Sequence, residues 1–140
     1  MSHDTTREGR RWVAQALHDL VTAELLVEHG RSPVACFLAQ QAAEKALKGL
    51  LYHDGADIVL GHSVAAVCRE VASRHPVLAP HCGAWSTLDQ HYIPSRYPDA
   101  LPGGTPADVY THEQAVQAVD LCTEVIDRIR RLVGWPESGG

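Results

Sequence analysis

The sequence predicts an all-α protein, an antiparallel up-and-down bundle of four to five helices. Several long segments carry apolar residues at steps of three and four, which is the period of one face of an α-helix. No strand-like alternation of useful length and no internal repeat is present. The 140 residues, of which 45% are apolar, suit one domain with one core. We expect this domain to cover residues 1–133 and residues 134–140 to form a frayed tail, in which Trp135 either docks or is exposed.

Glycine and proline divide the first half of the chain into helices. The first helix is expected from about residue 6 to residue 29, because Gly30 is typical of the position after a helix. Ser32 is the expected N-cap of the second helix and Pro33 its first residue, since the cap hydroxyl accepts an unpaired amide and proline lacks one. This second helix runs to about Tyr52, before an Asp-Gly turn.

Two shorter helices, a loop and a last long helix follow. A third helix opens at Ser63 and is stopped by the next proline, and a fourth is expected from about residue 80 to residue 91. Residues 93–106 contain four prolines and two glycines, which exclude regular structure and predict a functional or mobile loop. The last helix begins at a capping box formed by Thr111 and Gln114 and ends near residue 133.

Charge, hydropathy and cysteine usage exclude several classes of protein. The net charge of -5 argues against a sequence-independent coat on DNA or RNA, which needs a broad basic face. No apolar run approaches the roughly 20 residues that span a bilayer, and no signal peptide is present, so we expect a cytoplasmic protein. We expect the four scattered cysteines to be reduced. No zinc-site spacing, P-loop or dinucleotide-binding glycine motif occurs, so we expect neither a metal nor a cofactor.

The chain has only two lysines, Lys45 and Lys48, and both lie in its most apolar segment, the second helix. On a helical wheel they join Gln40, Gln41 and Glu44 in a polar arc opposite an alanine-rich face. This polar arc is either a solvated face with a weak Glu44–Lys48 pair or one wall of a polar cleft. In the second case the lysines would contact phosphate. Neighbouring aromatic and leucine residues favour partial burial of the arc.

A second polar cluster lies in the proline-rich loop. Arg96 is flanked by Tyr92 and Tyr97 and held between Pro94 and Pro98. Prolines reduce the entropy lost when a loop is fixed, so the arginine can be presented in a defined place. An arginine between tyrosines suits a phosphate or a stacked base. The alternative is a rigid surface loop whose arginine caps a helix carbonyl.

Four motifs occur in order: Ala-x-x-Asp-x-x-x-Ala from Ala16, Gln-Gln-Ala-Ala-Glu-Lys-Ala-Leu-Lys from Gln40, Gly-His from Gly61, and Tyr-x-Pro-Ser-Arg-Tyr-Pro-Asp from Tyr92. Together they resemble the HEPN family, the "higher eukaryotes and prokaryotes nucleotide-binding" helical domain, over residues 12–133. The resemblance implies a four- or five-helix bundle, a homodimer with a cleft at its interface, and a link to nucleotides or RNA. It also implies a nucleotidyltransferase partner protein in a toxin–antitoxin-like pair.

These observations predict a dimeric module that binds a nucleotide or an RNA end without catalysis of its own. The lysines and the arginine would contact phosphate from opposite walls, the tyrosines would stack, and the remaining polar residues would orient the ligand or cross-link the subunits. The predicted site consists of Gln41, Glu44, Lys45, Lys48, Tyr92, Arg96 and Tyr97.

Two alternatives stay open. Some members of the family are RNases with an Arg-x4–6-His motif, but no histidine follows Arg96 within six residues. Pairs with that spacing elsewhere, among them Arg11 and His18, are as frequent as chance predicts. A histidine from the partner subunit, such as His62 or His91, could complete a metal-independent RNase. The other alternative is a protein-interaction module in which the cleft is only an interface.

Overall fold

The computed structural model describes residues 4–59 and 61–135, and these residues form a helical bundle. The prediction of an all-α fold is confirmed. The α-helices are α1 (Thr5–Glu28), α2 (Ser32–His53), α3 (Val64–Arg74), α4 (Ala79–Ser86), α5 (Pro106–Val109) and α6 (His112–Leu132). Three 3-10 helices, Pro76–Leu78, Thr87–His91 and Pro98–Ala100, lie between them. None of the helices in the described residues is long and apolar enough to cross a membrane.

Helix α2 lies at the centre and packs against α1, α3 and α6. Its alanine-rich face is fully buried, and this lets neighbouring helices approach closely. The closest approach is at Gly9 of α1 and Gly49 of α2. A Cβ atom built on Gly9 would lie 2.5 Å from Cβ of His53 and 2.7 Å from the carbonyl oxygen of Gly49. Glycine is therefore required at residue 9 by space, because any side chain there would push the two helices apart.

Side-chain caps begin four of the six α-helices in the described residues, and two of these caps were predicted. The hydroxyl of Ser63 accepts the amide of Ala66 at the start of α3. Thr111 and Gln114 form the expected capping box of α6. The expected cap of α2 is wrong. Ser32 is the first helical residue instead, and the N-cap is Arg31, whose side chain makes no capping bond.

The second half of the chain departs from the prediction in two places. The expected fourth helix over residues 80–91 consists of α4 and the 3-10 helix Thr87–His91, and a separate 3-10 turn that begins at Pro76 precedes it. The expectation of no regular structure in residues 93–106 is also wrong in part. Pro98 begins a 3-10 turn, and Pro106 begins α5, which Thr105 caps with a capping box. In each case proline occupies a first-turn position, where its missing N–H leaves no bond unmade.

The end of α6 is held against the start of α1. Nη2 of Arg10 donates to the carbonyl oxygens of Val133 at 3.3 Å and Gly134 at 2.9 Å. Trp135, whose position the sequence left open, packs partly buried against the core. Residues 136–140 of the predicted tail lie outside the described residues. The four cysteines are free thiols, as expected.

Candidate functional site

The polar arc of α2 is mostly buried inside the bundle. Gln40 is fully buried, and Glu44 and Lys48 keep only 6% and 9% of their surface exposed. Gln41 and Lys45 are half-buried, and Nε2 of Gln41 donates to Oε1 of Gln40 at 2.7 Å. The interpretation of the arc as a solvated face is therefore wrong, because three of its five members are covered by protein.

Gln40 connects α2 to the start of α3 through Asp89. Its Nε2 atom donates to Oδ1 of Asp89 at 3.2 Å and to Oε2 of Glu44 at 3.4 Å. The same Asp89 carboxylate accepts the backbone N–H of Val64 at 2.7 Å and of Ala65 at 2.9 Å. Asp89 thus satisfies amides that the first turn of a helix leaves unpaired. This part of the polar arc consequently stabilises the junction of three segments.

Each lysine of α2 has an acidic partner. Nζ of Lys45 lies 2.6 Å from Oδ2 of Asp19 on α1. Nζ of Lys48 lies 2.9 Å from Oε1 of Glu44, and both of these side chains are about nine-tenths buried, with 11% and 8% exposed. A ligand phosphate at these lysines would compete with existing ion pairs. The prediction that the α2 residues contact a ligand stays a prediction, and the geometry gives them an internal role.

Arg96 lies in an aromatic cluster that the proline-rich loop forms with α2. Its guanidinium carbon is 4.4 Å from the ring centroid of Phe37, 4.8 Å from that of Tyr92 and 5.1 Å from that of Tyr97. The rings of Phe37 and Tyr92 also contact each other, with centroids 6.2 Å apart. Each cation–π contact of an exposed arginine is worth about 0.5–1 kcal/mol. The three rings therefore hold an exposed guanidinium in a defined place.

Among the described residues, only one nitrogen of this guanidinium makes a hydrogen bond. Nε of Arg96 donates to the carbonyl oxygen of Tyr92 at 2.8 Å. Tyr92 directly follows the 3-10 helix Thr87–His91, so this contact agrees with the alternative in which the arginine caps a helix carbonyl. In residues 4–59 and 61–135, no hydrogen bond or ion pair involves its two Nη groups. They are free to bind an anion.

Arg96 also lines a cavity of about 340 Å³ between the first turn of α2 and the start of α5. Arg31 and Ser32 contribute from the α2 side, and Pro106 and Tyr110 from the opposite side. None of the described residues that line this cavity is acidic. A basic cavity in a chain of net charge -5 is a local concentration of positive charge.

His91 lies near this loop but is not available as a proton donor. It is 4% exposed, and its Nδ1 atom lies 3.1 Å from the hydroxyl of Tyr110. Burial lowers the pKa of His91 below its usual value of 6.5 and raises the pKa of Tyr110 to about 12. Both groups are therefore neutral near pH 7, and their contact anchors the loop to the start of α6.

A second polar region lies along the outer face of α1. Arg11 and His18, seven residues apart, both line a shallow groove of about 680 Å³, together with Trp12, Gln15 and Lys45. Arg11 is paired with a neighbouring glutamate, with Nη1 to Oε2 at 3.0 Å. Arg11 and His18 are one of the Arg-x4–6-His pairs whose number in the sequence is explained by chance. The fold brings these two side chains to one surface.

The seven predicted site residues thus fall in two places. Arg96 and the two tyrosines form one cluster, and the four α2 residues belong to the ion-paired arc. Sequence reasoning missed Phe37 as part of the arginine cluster and Asp89 as the partner of Gln40. The role of Asp19 could have been predicted from the sequence. Asp19 lies in the first of the four motifs, and an acidic residue on an otherwise apolar helix face needs a positively charged partner.

Comparisons with known proteins identify the family and the fold of this chain. The model of the HEPN domain family matches residues 10–132. A protein of Methanocaldococcus jannaschii named "Putative toxin MJ1304" is 27% identical over 134 residues, covering 87% of this chain and 86% of that protein. The crystal structure of TT1696 from Thermus thermophilus has a TM-score of 0.82 at 38% identity, covering 89% of this chain and 97% of that one. ST0689, an archaeal HEPN homologue, has a TM-score of 0.74 at 32% identity, covering 90% and 98%.

The helical bundle defines the class of this protein as a small all-α domain whose proline-rich loop carries an arginine cluster. The chain belongs to the HEPN domain family, because the family model covers most of its length and solved relatives share its fold. The resemblance predicted from the four motifs is confirmed.

Proposed function

We propose that this chain is a dimeric HEPN module that binds a nucleotide or an RNA end at Arg96. In this proposal the free Nη groups contact phosphate, and Tyr92 and Tyr97 provide surfaces on which a base stacks. The α2 residues Gln40 to Lys48 support the site from within the fold. The observation that carries the proposal is the guanidinium held over three aromatic rings with two nitrogens unused among the described residues.

Charge and exposure support the same place. Tyr97 is 49% exposed, so a base has access to its ring. The lysines have acidic partners 2.6 Å and 2.9 Å away, whereas Arg96 has none among the described residues. A phosphate therefore meets less competition at the loop than at α2, because forming a new ion pair there breaks no existing one.

Calorimetric titration of ATP, AMP and a short single-stranded RNA tests this proposal. We expect Arg96→Ala to keep the fold and to weaken binding by about 1–3 kcal/mol, or about 5- to 150-fold. Arg69→Ala is the matched control, because Arg69 is also exposed and its loss changes the net charge equally. Equal binding by the wild type and Arg96→Ala would overturn the assignment.

The dimer is part of the proposal and has support from exposed apolar side chains. Val21 and Leu25, four residues apart on α1, are 55% and 50% exposed, and Val34 at the start of α2 is 48% exposed. These residues lie on both sides of the α1–α2 connection. Sedimentation of the wild type and of Leu25→Glu tests the dimer. Val77→Glu is the control, because Val77 is another exposed apolar residue. A wild-type protein that sediments as a monomer would contradict the dimer.

The proposed partner protein is a nucleotidyltransferase in a toxin–antitoxin-like pair. The support is the family and the relative named as a toxin. Co-expression with a candidate nucleotidyltransferase, followed by purification through a tag on one protein, tests this pairing. Recovery of the tagged protein alone would count against it.

A second candidate function is metal-independent RNA cleavage on α1. The observation that favours it is the shared groove of Arg11 and His18, in which the histidine would move the proton of a 2′-hydroxyl and the arginine would stabilise phosphate charge. Labelled RNA incubated with the wild type, His18→Ala and the control His29→Ala tests it. If the wild type leaves the RNA intact, or if His18→Ala cleaves as well as the wild type, this candidate fails.

A further inference from the structure

We infer that the first turn of α2 is a binding site for a terminal phosphate group, a phosphomonoester. This inference deepens the proposed function and rests on it for the identity of the ligand. The first observation is the start of α2, where the cap predicted at Ser32 is absent. The helices α1, α3 and α6 each have an N-cap side chain on their first amides, but α2 has none. Helix α4 also lacks one, but it continues directly from a 3-10 turn.

The amides at the start of α2 are consequently unpaired. The first bond into the helix runs from the N–H of Ala35 to the carbonyl of Arg31 at 3.0 Å. Pro33 has no N–H, which leaves the N–H groups of Ser32 and Val34 without a partner in the described part of the chain. Unpaired amides together with the helix dipole make an N-terminus attractive to anions.

Ser32 gives the second and independent indication. Only 6% of its surface is exposed, and it lines the cavity of about 340 Å³. Its hydroxyl makes no hydrogen bond to any residue that the structure describes, and the oxygen atom itself keeps solvent contact although the residue is otherwise covered. The absent capping bond therefore leaves an unpaired hydroxyl at the cavity wall, together with the free amides.

Two arginines complete the charge of this cavity. Arg31 lies at the N-cap itself and has no ion-pair partner among residues 4–59 and 61–135, and Arg96 lines the same cavity from the loop. A phosphomonoester carries close to two negative charges at neutral pH and three oxygens that accept hydrogen bonds. Two guanidinium groups, a hydroxyl and two amides are enough donors to give each of those three oxygens at least one hydrogen bond.

The size and position of the cavity suit a ligand larger than free phosphate. A volume of about 340 Å³ is at the lower end of the range for small-molecule sites. Arg96 is shared between this cavity and the aromatic cluster, so a phosphate at Ser32 would place the rest of a nucleotide near Tyr92 or Tyr97. The same chemistry is offered by inorganic phosphate, by a mononucleotide and by the 5′-phosphorylated end of an RNA.

Amide chemical shifts during titration with inorganic phosphate test the site directly. We expect saturable shifts of the Ser32 and Val34 amides in the wild type. Arg31→Ala and Ser32→Ala should each weaken the apparent affinity about tenfold, the scale of one charged hydrogen bond, and Arg69→Ala should leave it unchanged. Shifts that do not saturate, or that weaken equally in Arg69→Ala, would overturn the inference.

A comparison that needs no variant separates this inference from the proposed function. We expect AMP to bind the wild type at least about tenfold more tightly than adenosine, and 5′-phosphorylated RNA more tightly than the same RNA with a 5′-hydroxyl. Equal binding of AMP and adenosine would refute the phosphate site while the proposed nucleotide binding stood. Saturable phosphate shifts at Ser32 without binding of any nucleotide or RNA would refute the proposed function and keep the site.

Discussion

The side-chain amide of Gln40 donates a hydrogen bond to the carboxylate of Asp89 at 3.2 Å, and this contact joins α2 to the start of α3. Gln40 also donates a hydrogen bond to Glu44, and Asp89 also accepts the backbone amides of Val64 and Ala65. The polar segment of α2 is thus part of the fold. Within this segment Gln41 donates to Gln40 and Lys48 pairs with Glu44, whereas Lys45 pairs with Asp19 of α1.

Asp89→Ala should destabilise the protein by about 2–3 kcal/mol. The change leaves two amides of α3 without a partner and removes one of the two acceptors of the Gln40 side chain. Urea unfolding followed by circular dichroism measures the loss. Asp99→Ala is the control, because Asp99 is exposed in the 3-10 turn that begins at Pro98. Equal stability of the two variants would contradict the role assigned to Asp89.

Lys48→Met should lower the free energy of unfolding by about 2 kcal/mol or more. It leaves the Glu44 carboxylate buried without its cation, which costs far more than an exposed pair contributes. Arg11→Met removes one partner of the exposed pair with Glu8 and should change stability by no more than about 0.5 kcal/mol. Chemical denaturation of both variants checks the difference, and similar losses would show that the Lys48 pair is not buried as described.

Gly9→Ala and Gly83→Ala should change stability in opposite directions. A Cβ at residue 9 would lie 2.5 Å from Cβ of His53, and the resulting separation of α1 and α2 should cost about 1–3 kcal/mol. Gly83 lies within α4 and has open space around it, so alanine there should stabilise by about 0.5–1 kcal/mol. Thermal unfolding shows whether each variant is more or less stable than the wild type. A Gly9→Ala variant as stable as the wild type would contradict the close approach of α1 and α2.

Stability should fall as the pH is lowered from about 7.5 to about 5.5, in part because of His91. Burial lowers the pKa of His91 in the folded protein below the 6.5 of the unfolded chain. The unfolded chain therefore takes up the proton first, and stability is lost as the pH falls through that interval, by at most about 1.4 kcal/mol per pH unit.

His91→Gln should flatten this pH dependence, because the substituted side chain does not titrate. His29→Gln removes an exposed histidine and should leave the dependence as in the wild type. Unfolding in urea at several pH values measures both slopes. A slope in His91→Gln as steep as that of the wild type would contradict a buried neutral histidine.

The regular helices could be predicted from the sequence because their signals are local. Ser63 and Thr111 cap the helices at which they were expected, since an N-cap needs only the three residues that follow it. The cap at Ser32 could not be predicted correctly. Whether a serine lies before a helix or inside its first turn depends on the direction of the incoming chain, which here includes Gly30 with a φ of 73°.

The candidate site was predicted in part for a similar reason. Tyr92, Arg96 and Tyr97 could be predicted as one cluster because they lie close together in the sequence. Among the described residues the structure adds Phe37 from α2. The role of the α2 arc could not be inferred, because the partners of Lys45 and Gln40 lie 26 and 49 residues away. A helical wheel gives the direction of each side chain but does not show what covers it.

The assignment of the ligand to Arg96 rather than to α2 is tested most directly by AMP affinity in Lys48→Met and Arg96→Ala, with the free energy of unfolding measured for both. We expect Lys48→Met to be less stable but to bind AMP like the wild type when folded. Arg96→Ala should stay folded, with a loss of stability of about 1–3 kcal/mol from its three ring contacts, and should lose binding by about 5- to 150-fold. Loss of binding in Lys48→Met with retained binding in Arg96→Ala would place the ligand at α2 and contradict the assignment.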